Sequence, residues 1–143
     1  MKTIIAIIRP ERVGETRSAL EAIGMKGITF LHVTGKGRQK GRIQTSELAG
    51  LLGREGTGRF PLQWDHTHIK FSPGEQEEKE FELGFLPKRM LIIVVHDIDV
   101  SSIVQTIIHT NQQGHHGDGR IFVCPMISAL RVRTGEQGDQ ALS

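Results

Sequence analysis

The chain has a single cysteine, Cys124, and no tyrosine. One cysteine excludes an internal disulfide and fits a reducing compartment. It lies in the apolar run Ile121-Phe122-Val123-Cys124, which reads as a small buried hydrophobe rather than a nucleophile. Aromatics are scarce, six Phe and one Trp, fewer than a surface that stacks exposed bases would carry. Charge of one sign is scarce too: 18 Lys and Arg stand against 16 Asp and Glu, a net +2. That balance offers no basic field for nucleic acid and no polybasic tail for a membrane surface. The apolar run near the start is broken by Arg9-Pro10, too early for a signal peptide or a span. The expectation is one soluble cytoplasmic domain over residues 1–143, with no nucleic-acid partner and no membrane insertion.

What is present is organised in two similar halves. Thr3 to Ile8 is β-branched and apolar, as in a central strand buried on both faces. Val13, Thr16, Leu20 and Ile23 recur at helical spacing, and Gly24 is the stop. Ile28 to Thr34 reads as a second strand. Met90 to Val95 repeats the strand pattern. Val100, Ile103, Val104, Ile107 and Ile108 then define an amphipathic helix, with Asp97 or Asp99 as cap and Gly114 as stop. Ile121 to Ile127 is the last long strand, and Ala129 to Arg133 a short extended piece. Strand–helix–strand twice predicts an α+β, ferredoxin-like βαββαβ sandwich, with both helices on one face of an antiparallel sheet. The open face of that sheet needs a cover, and self-association supplies one. Between the second and third strands lies a long insertion, Arg38 to about Phe85, of the length usually reserved for function or disorder. Its first part holds five glycines between Gly41 and Arg59 and shows no clear period. Its end, around Glu75–Glu82, is acidic, as a solvated loop face is.

Gly114-His115-His116-Gly117-Asp118-Gly119-Arg120 is the segment with the most chemistry. Closely spaced glycines expose backbone N–H groups that form a concave anion nest. Arg120 ends the segment, and Arg131 and Arg133 follow one strand later. Guanidiniums match phosphate oxygens two at a time, so a polyphosphate suits this set. A turn that merely needs glycine would look the same on this segment alone. It is not a Walker A loop: it leaves a helix, enters a strand and lacks Lys-Ser/Thr.

Several motifs occur in one order: Ile7-Ile8-Arg9-Pro10-Glu11, Gly35-Lys36-Gly37-Arg38-Gln39-Lys40-Gly41, Leu86-Pro87-Lys88, Gly117-Asp118-Gly119-Arg120-Ile121-Phe122-Val123 and Arg131-Val132-Arg133-Thr134-Gly135-Glu136. Together they resemble the PII nitrogen-regulatory signal proteins from end to end, apart from the insertion. The resemblance implies a trimer of ferredoxin-like subunits that binds ATP or ADP in clefts between neighbours, senses 2-oxoglutarate, and signals rather than catalyses. It makes residues 38–85 an extended T-loop that meets targets, 113–120 the phosphate-binding B-loop, and 131–143 the C-loop and tail. It assigns the nucleotide to Thr29, Gly37, Arg38, Val94, Gly117, Asp118, Gly119, Arg120, Arg131, Val132 and Arg133. It assigns 2-oxoglutarate to Arg9, Gln39, Lys40, Gly41 and Lys88, with the Gln39 side-chain oxygen on a phosphate-chelated Mg²⁺. Ligand at Gln39 would then select among T-loop conformations.

Some positions depart from the family pattern. Gln113 and Arg120 stand where Thr and Lys are common, and His115-His116 replace the usual loop interior. The absence of tyrosine forbids uridylylation or adenylylation of a T-loop Tyr. The long insertion, Asn111-Gln112-Gln113-Gly114 and Phe122-Val123-Cys124-Pro125 look most like the nitrogenase-linked branch. Its members pair with related subunits and bind nitrogenase directly. A homotrimer or a hetero-oligomer with a related subunit is thus expected. Other targets in the family, such as glutamine synthetase or an ammonium channel, are the alternative. A phosphotransferase using His115 or His116 as nucleophile is a further one, though no carboxylate is placed by sequence to activate either. His66, His68, His109, His115 and His116 lack a Cys or acidic ligand cluster at metal spacing, which disfavours a metal site, and histidines in an exposed loop are more often solvated. Trp64, with Phe60 and Leu62, is either a partner anchor or a pin for the insertion.

Overall fold

The computed structural model describes residues 1–25, 27–38, 42–44, 80–82 and 85–142. Strand β1, Lys2–Ile8, lies between two antiparallel neighbours. One is β5, Leu86–Val95. The other is β6, Gly119–Pro125. Strand β2, Thr29–Gly35, pairs with the other side of β5, giving the order β2-β5-β1-β6. Helix α1, Val13–Ala22, and helix α2, Val100–Asn111, cover one face. This is the ferredoxin-like α+β sandwich that the periodicity predicts. Among the described residues, no helix is long and apolar enough to cross a membrane.

The alternation of β1 decides which face is core. Ile4, Ala6 and Ile8 point to the helices and are fully buried. They pack with Leu20 of α1, Ile103 and Ile107 of α2, and Leu91, Ile93 and Val95 of β5. Truncating Leu20 to alanine should cost about 2–5 kcal/mol, read by urea unfolding. Between them Thr3, Ile5 and Ile7 are only half-buried, so β1 is not buried on both faces in a single chain. Their cross-strand partners Val94, Ile92, Met90, Cys124 and Phe122 share that open face, as does Leu31 through Met90. Cys124 is therefore exposed: its register opposite Thr3 turns it away from the helices, against the expectation of burial.

The helix ends also differ from expectation. Gly24 does stop α1, with φ +87°. At α2, neither Asp97 nor Asp99 caps by its side chain. Asp97 instead accepts from the Met1 ammonium at 3.0 Å, and that contact holds its carboxyl below the ordinary carboxylate range. Helix α2 ends at Asn111, before Gly114, because Gln112 turns extended. Buried Asn111 donates to Thr16 Oγ1 at 2.9 Å and to the Ile107 carbonyl at 2.9 Å, which ties the end of α2 to α1. Residues 129–133 form no strand. Leu130 bridges only Gln137, and Arg131 to Gly135 close a turn through Gly135 N–H to Arg131 O at 2.8 Å. In the insertion, β3 (Arg42–Gln44) pairs antiparallel with β4 (Glu80–Glu82), a hairpin that periodicity does not reveal. Gln39, Lys40, Gly41, Phe60, Leu62, Trp64, His66 and His68 lie outside the described residues.

Candidate functional site

The loop between α2 and β6 is built around one carboxylate. Asp118 Oδ2 accepts the backbone N–H groups of Gln113 at 2.7 Å, Gly114 at 2.9 Å and His115 at 3.2 Å. Partial burial opposes its charge. The three N–H groups and Arg9 outweigh that and hold its carboxyl below the ordinary carboxylate range. Three N–H groups therefore converge on one anion, but they belong to residues 113–115, ahead of the 117–119 backbone expected to cradle phosphate, and the anion is the loop's own carboxylate. The signal was in the sequence, since Asp side chains readily bond backbone N–H groups a few residues away.

Two cations grip the loop from the strand ends. Arg9, just after β1, donates from Nη2 to the His116 carbonyl at 3.0 Å and lies 3.6 Å from Asp118 Oδ1. Lys88, near the start of β5, donates to the Gly117 carbonyl at 3.0 Å. Neither contact was legible in the sequence, because residues 9, 88 and 117 meet only through the sheet register. Gly119 then enters β6 beside Ile8, with φ +130°. Arg120 follows, exposed on the open face opposite Ile7.

The predicted nucleotide residues divide into two sets. Gly37 and Arg38 follow the end of β2, at the same end of the sheet as Arg9, Lys88 and the 113–119 loop. Thr29 and Val94 lie further down the open face: Thr29 pairs with Ile92, two residues from Val94. Arg131, Val132 and Arg133 come after the far end of β6, about 20 Å along that strand from Gly119. Their segment is held at that far end, where Asp139 Oδ1 lies 3.6 Å from His96 Nδ1, just beyond β5. One chain therefore does not bring Arg120 together with Arg131 and Arg133. Arg131 pins its own loop, through Glu136 Oε2 at 2.8 Å and the Ala141 carbonyl at 3.2 Å. Arg38, Arg120 and Arg133 are exposed and engage no partner among the described residues.

A sequence profile described as Nitrogen regulatory protein P-II matches residues 1–136. The chain belongs to the P-II family. It is similar to the nitrogen fixation nifHD region GlnB-like protein 2 of Methanobacterium ivanovii, 38% identical over 142 residues that cover 99% of both chains. The protein of the same description from Methanococcus maripaludis is 37% identical over 99% of this chain and all of its own. The nitrogen regulatory protein P-II 1 of Escherichia coli K12 is likewise 37% identical over the same shares. As a P-II protein the chain is a nitrogen regulator, of a family that signals rather than catalyses and responds to small-molecule effectors. The phosphotransferase reading falls with that assignment. The nearby Asp118 Oδ2 accepts backbone N–H groups rather than a histidine ring N–H.

Proposed function

We propose that this P-II chain reports nitrogen status by binding ATP or ADP and 2-oxoglutarate, and that it regulates nitrogenase through contact by residues 38–85. The observation that carries the reading is the division of the nucleotide residues. Phosphate-type donors cluster at one end of the sheet, while Thr29 and Val94 lie further down an open face with exposed Leu31 and Phe122, and Arg133 lies beyond the far end of β6. A second copy set against that face covers the apolar surface and brings the two sets together. Nucleotide then binds at the seam of a trimer, or of a hetero-oligomer with a related subunit. The three exposed guanidiniums fit the phosphates, and Thr29, Gly37 and Val94 border the base and ribose.

The Gln39 side-chain carbonyl, Lys40 and Gly41 complete the 2-oxoglutarate site with Arg9 and Lys88. Mg²⁺ at Gln39 would neutralise phosphate and carboxylate oxygens together. Arg9 and Lys88 now donate to loop carbonyls, so they are donors already turned toward the phosphate loop. The relatives named for the nifHD region support nitrogenase as the target. Calorimetric titration of the purified oligomer with ADP, and with MgATP plus 2-oxoglutarate, tests the ligand assignment. Gln39→Ala should weaken 2-oxoglutarate binding at least about tenfold and leave ADP binding intact. Equal weakening of both would remove Gln39 from the metal. Capture of nitrogenase on the immobilised protein, released by MgATP with 2-oxoglutarate, supports the target. Capture of glutamine synthetase or an ammonium channel instead overturns it.

A further inference from the structure

We propose that Asp118 is a positioning residue: its side chain serves as the resident anion of its own loop, and the incoming phosphate takes the donors that this arrangement leaves pointing outward. The inference rests on the phosphate-site reading above and changes the role of one residue within it. Three consecutive N–H groups, from residues 113 to 115, converge on one oxygen of Asp118. A phosphate placed there would compete with a covalently tethered carboxylate. Oδ1, the other oxygen, is buried and faces Arg9 at 3.6 Å, and the Asp118 N–H returns to the His115 carbonyl at 3.3 Å. Arg9 and Lys88 hold the next two carbonyls, those of His116 and Gly117. The loop is thereby clamped on both sides: its early N–H groups turn inward to Asp118, and its later carbonyls turn to the strand-end cations. The side chain of Asp118 is thus spent inside the loop. What this geometry leaves for an outside anion is the Gly117 N–H and the exposed Arg120 guanidinium.

The test has one arm that needs no nucleotide. In ligand-free protein, Asp118→Ala should speed hydrogen exchange at the amides of residues 113–115 at least about tenfold, as three hydrogen bonds to a charged acceptor are lost. In the unaltered chain, protection should hold at neutral pH and fade only in acid below the ordinary carboxylate range, as protonation removes a carboxylate whose pKa folding has lowered. Asp118→Asn keeps the shape without the charge and should show no such pH dependence. The second arm is calorimetry with ADP. Asp118→Ala should bind ADP at least about tenfold more weakly, and added formate, which supplies the missing carboxylate, should recover part of that loss. Weakened ADP binding with unchanged amide exchange would make Asp118 a direct ligand and overturn the proposal. So would faster exchange with ADP affinity intact. If the unaltered chain binds no ADP, the phosphate-site reading itself fails. If it binds while Asp118→Ala changes neither readout, the positioning role alone fails.

Discussion

Gly119→Ala is expected to lower the melting temperature by about 10 °C and to remove measurable nucleotide binding at the concentrations that saturate the unaltered protein. A Cβ at residue 119 would overlap the Ile7 carbonyl oxygen and lie 3.2 Å from the Ile7 carbonyl carbon, and the backbone there has φ +130°. L-residues pay about 1–3 kcal/mol for such a conformation, and the overlap with backbone of the central strand adds a comparable amount. The strain is relieved only by lifting the start of β6 from β1, which carries the 113–118 loop and Arg120 with it. Gly114→Ala is the control. Gly114 also has positive φ, +80°, but open space around it, so it should lose only about 1 kcal/mol. Thermal unfolding followed by circular dichroism separates the two. A melting temperature for Gly119→Ala equal to that of Gly114→Ala would show that β6 yields freely at its start.

Arg120→Ala and Arg133→Ala should each weaken ATP binding by more than about tenfold, that is by more than about 1.4 kcal/mol. Both side chains are exposed and neither engages a partner among the described residues, so both variants should keep their melting temperatures. Arg131→Ala should behave differently. Its guanidinium holds Glu136 and the Ala141 carbonyl, so it should lose loop order as well as affinity. Arg120→Lys should retain more binding than Arg120→Ala, since a point charge replaces a two-pronged donor. Unchanged affinity in Arg120→Ala would remove that residue from the phosphate site.

The fold was legible because each element carried its own period. The β-branched apolar run Thr3–Ile8 and the i, i+3, i+4 spacing of Val100–Ile108 do not depend on distant residues. What failed was information held in tertiary contacts. Cys124 looked buried because its neighbours are apolar, yet register with Thr3 turns it outward. Asp97 looked like a helix cap, yet the Met1 ammonium is the stronger partner. Within the site, the motifs named the residues but not their company. The resemblance assigns Arg9 and Lys88 to a diacid, but no motif announces that in the free chain they donate to loop carbonyls. The resemblance gives the Asp118 backbone to a phosphate cradle, whereas the motif does not announce that its side chain holds the N–H groups of residues 113–115. Arg120 and Arg131 are assigned to one polyphosphate, and within one chain Arg131 lies toward the other end of the sheet. Proximity in sequence, eleven positions across a single strand, concealed that distance.

Central to the proposed function is a nucleotide shared between copies. Arg120→Ala and Arg133→Ala chains should be mixed in equal amounts, dissociated, reassociated and titrated with ADP. If each site takes Arg120 from one copy and Arg133 from its neighbour, random reassembly restores both arginines at about one quarter of the sites, and that fraction should bind with the affinity of the unaltered protein. A mixture that binds no better than its two weakened components would place both arginines in a single chain's site and contradict the account.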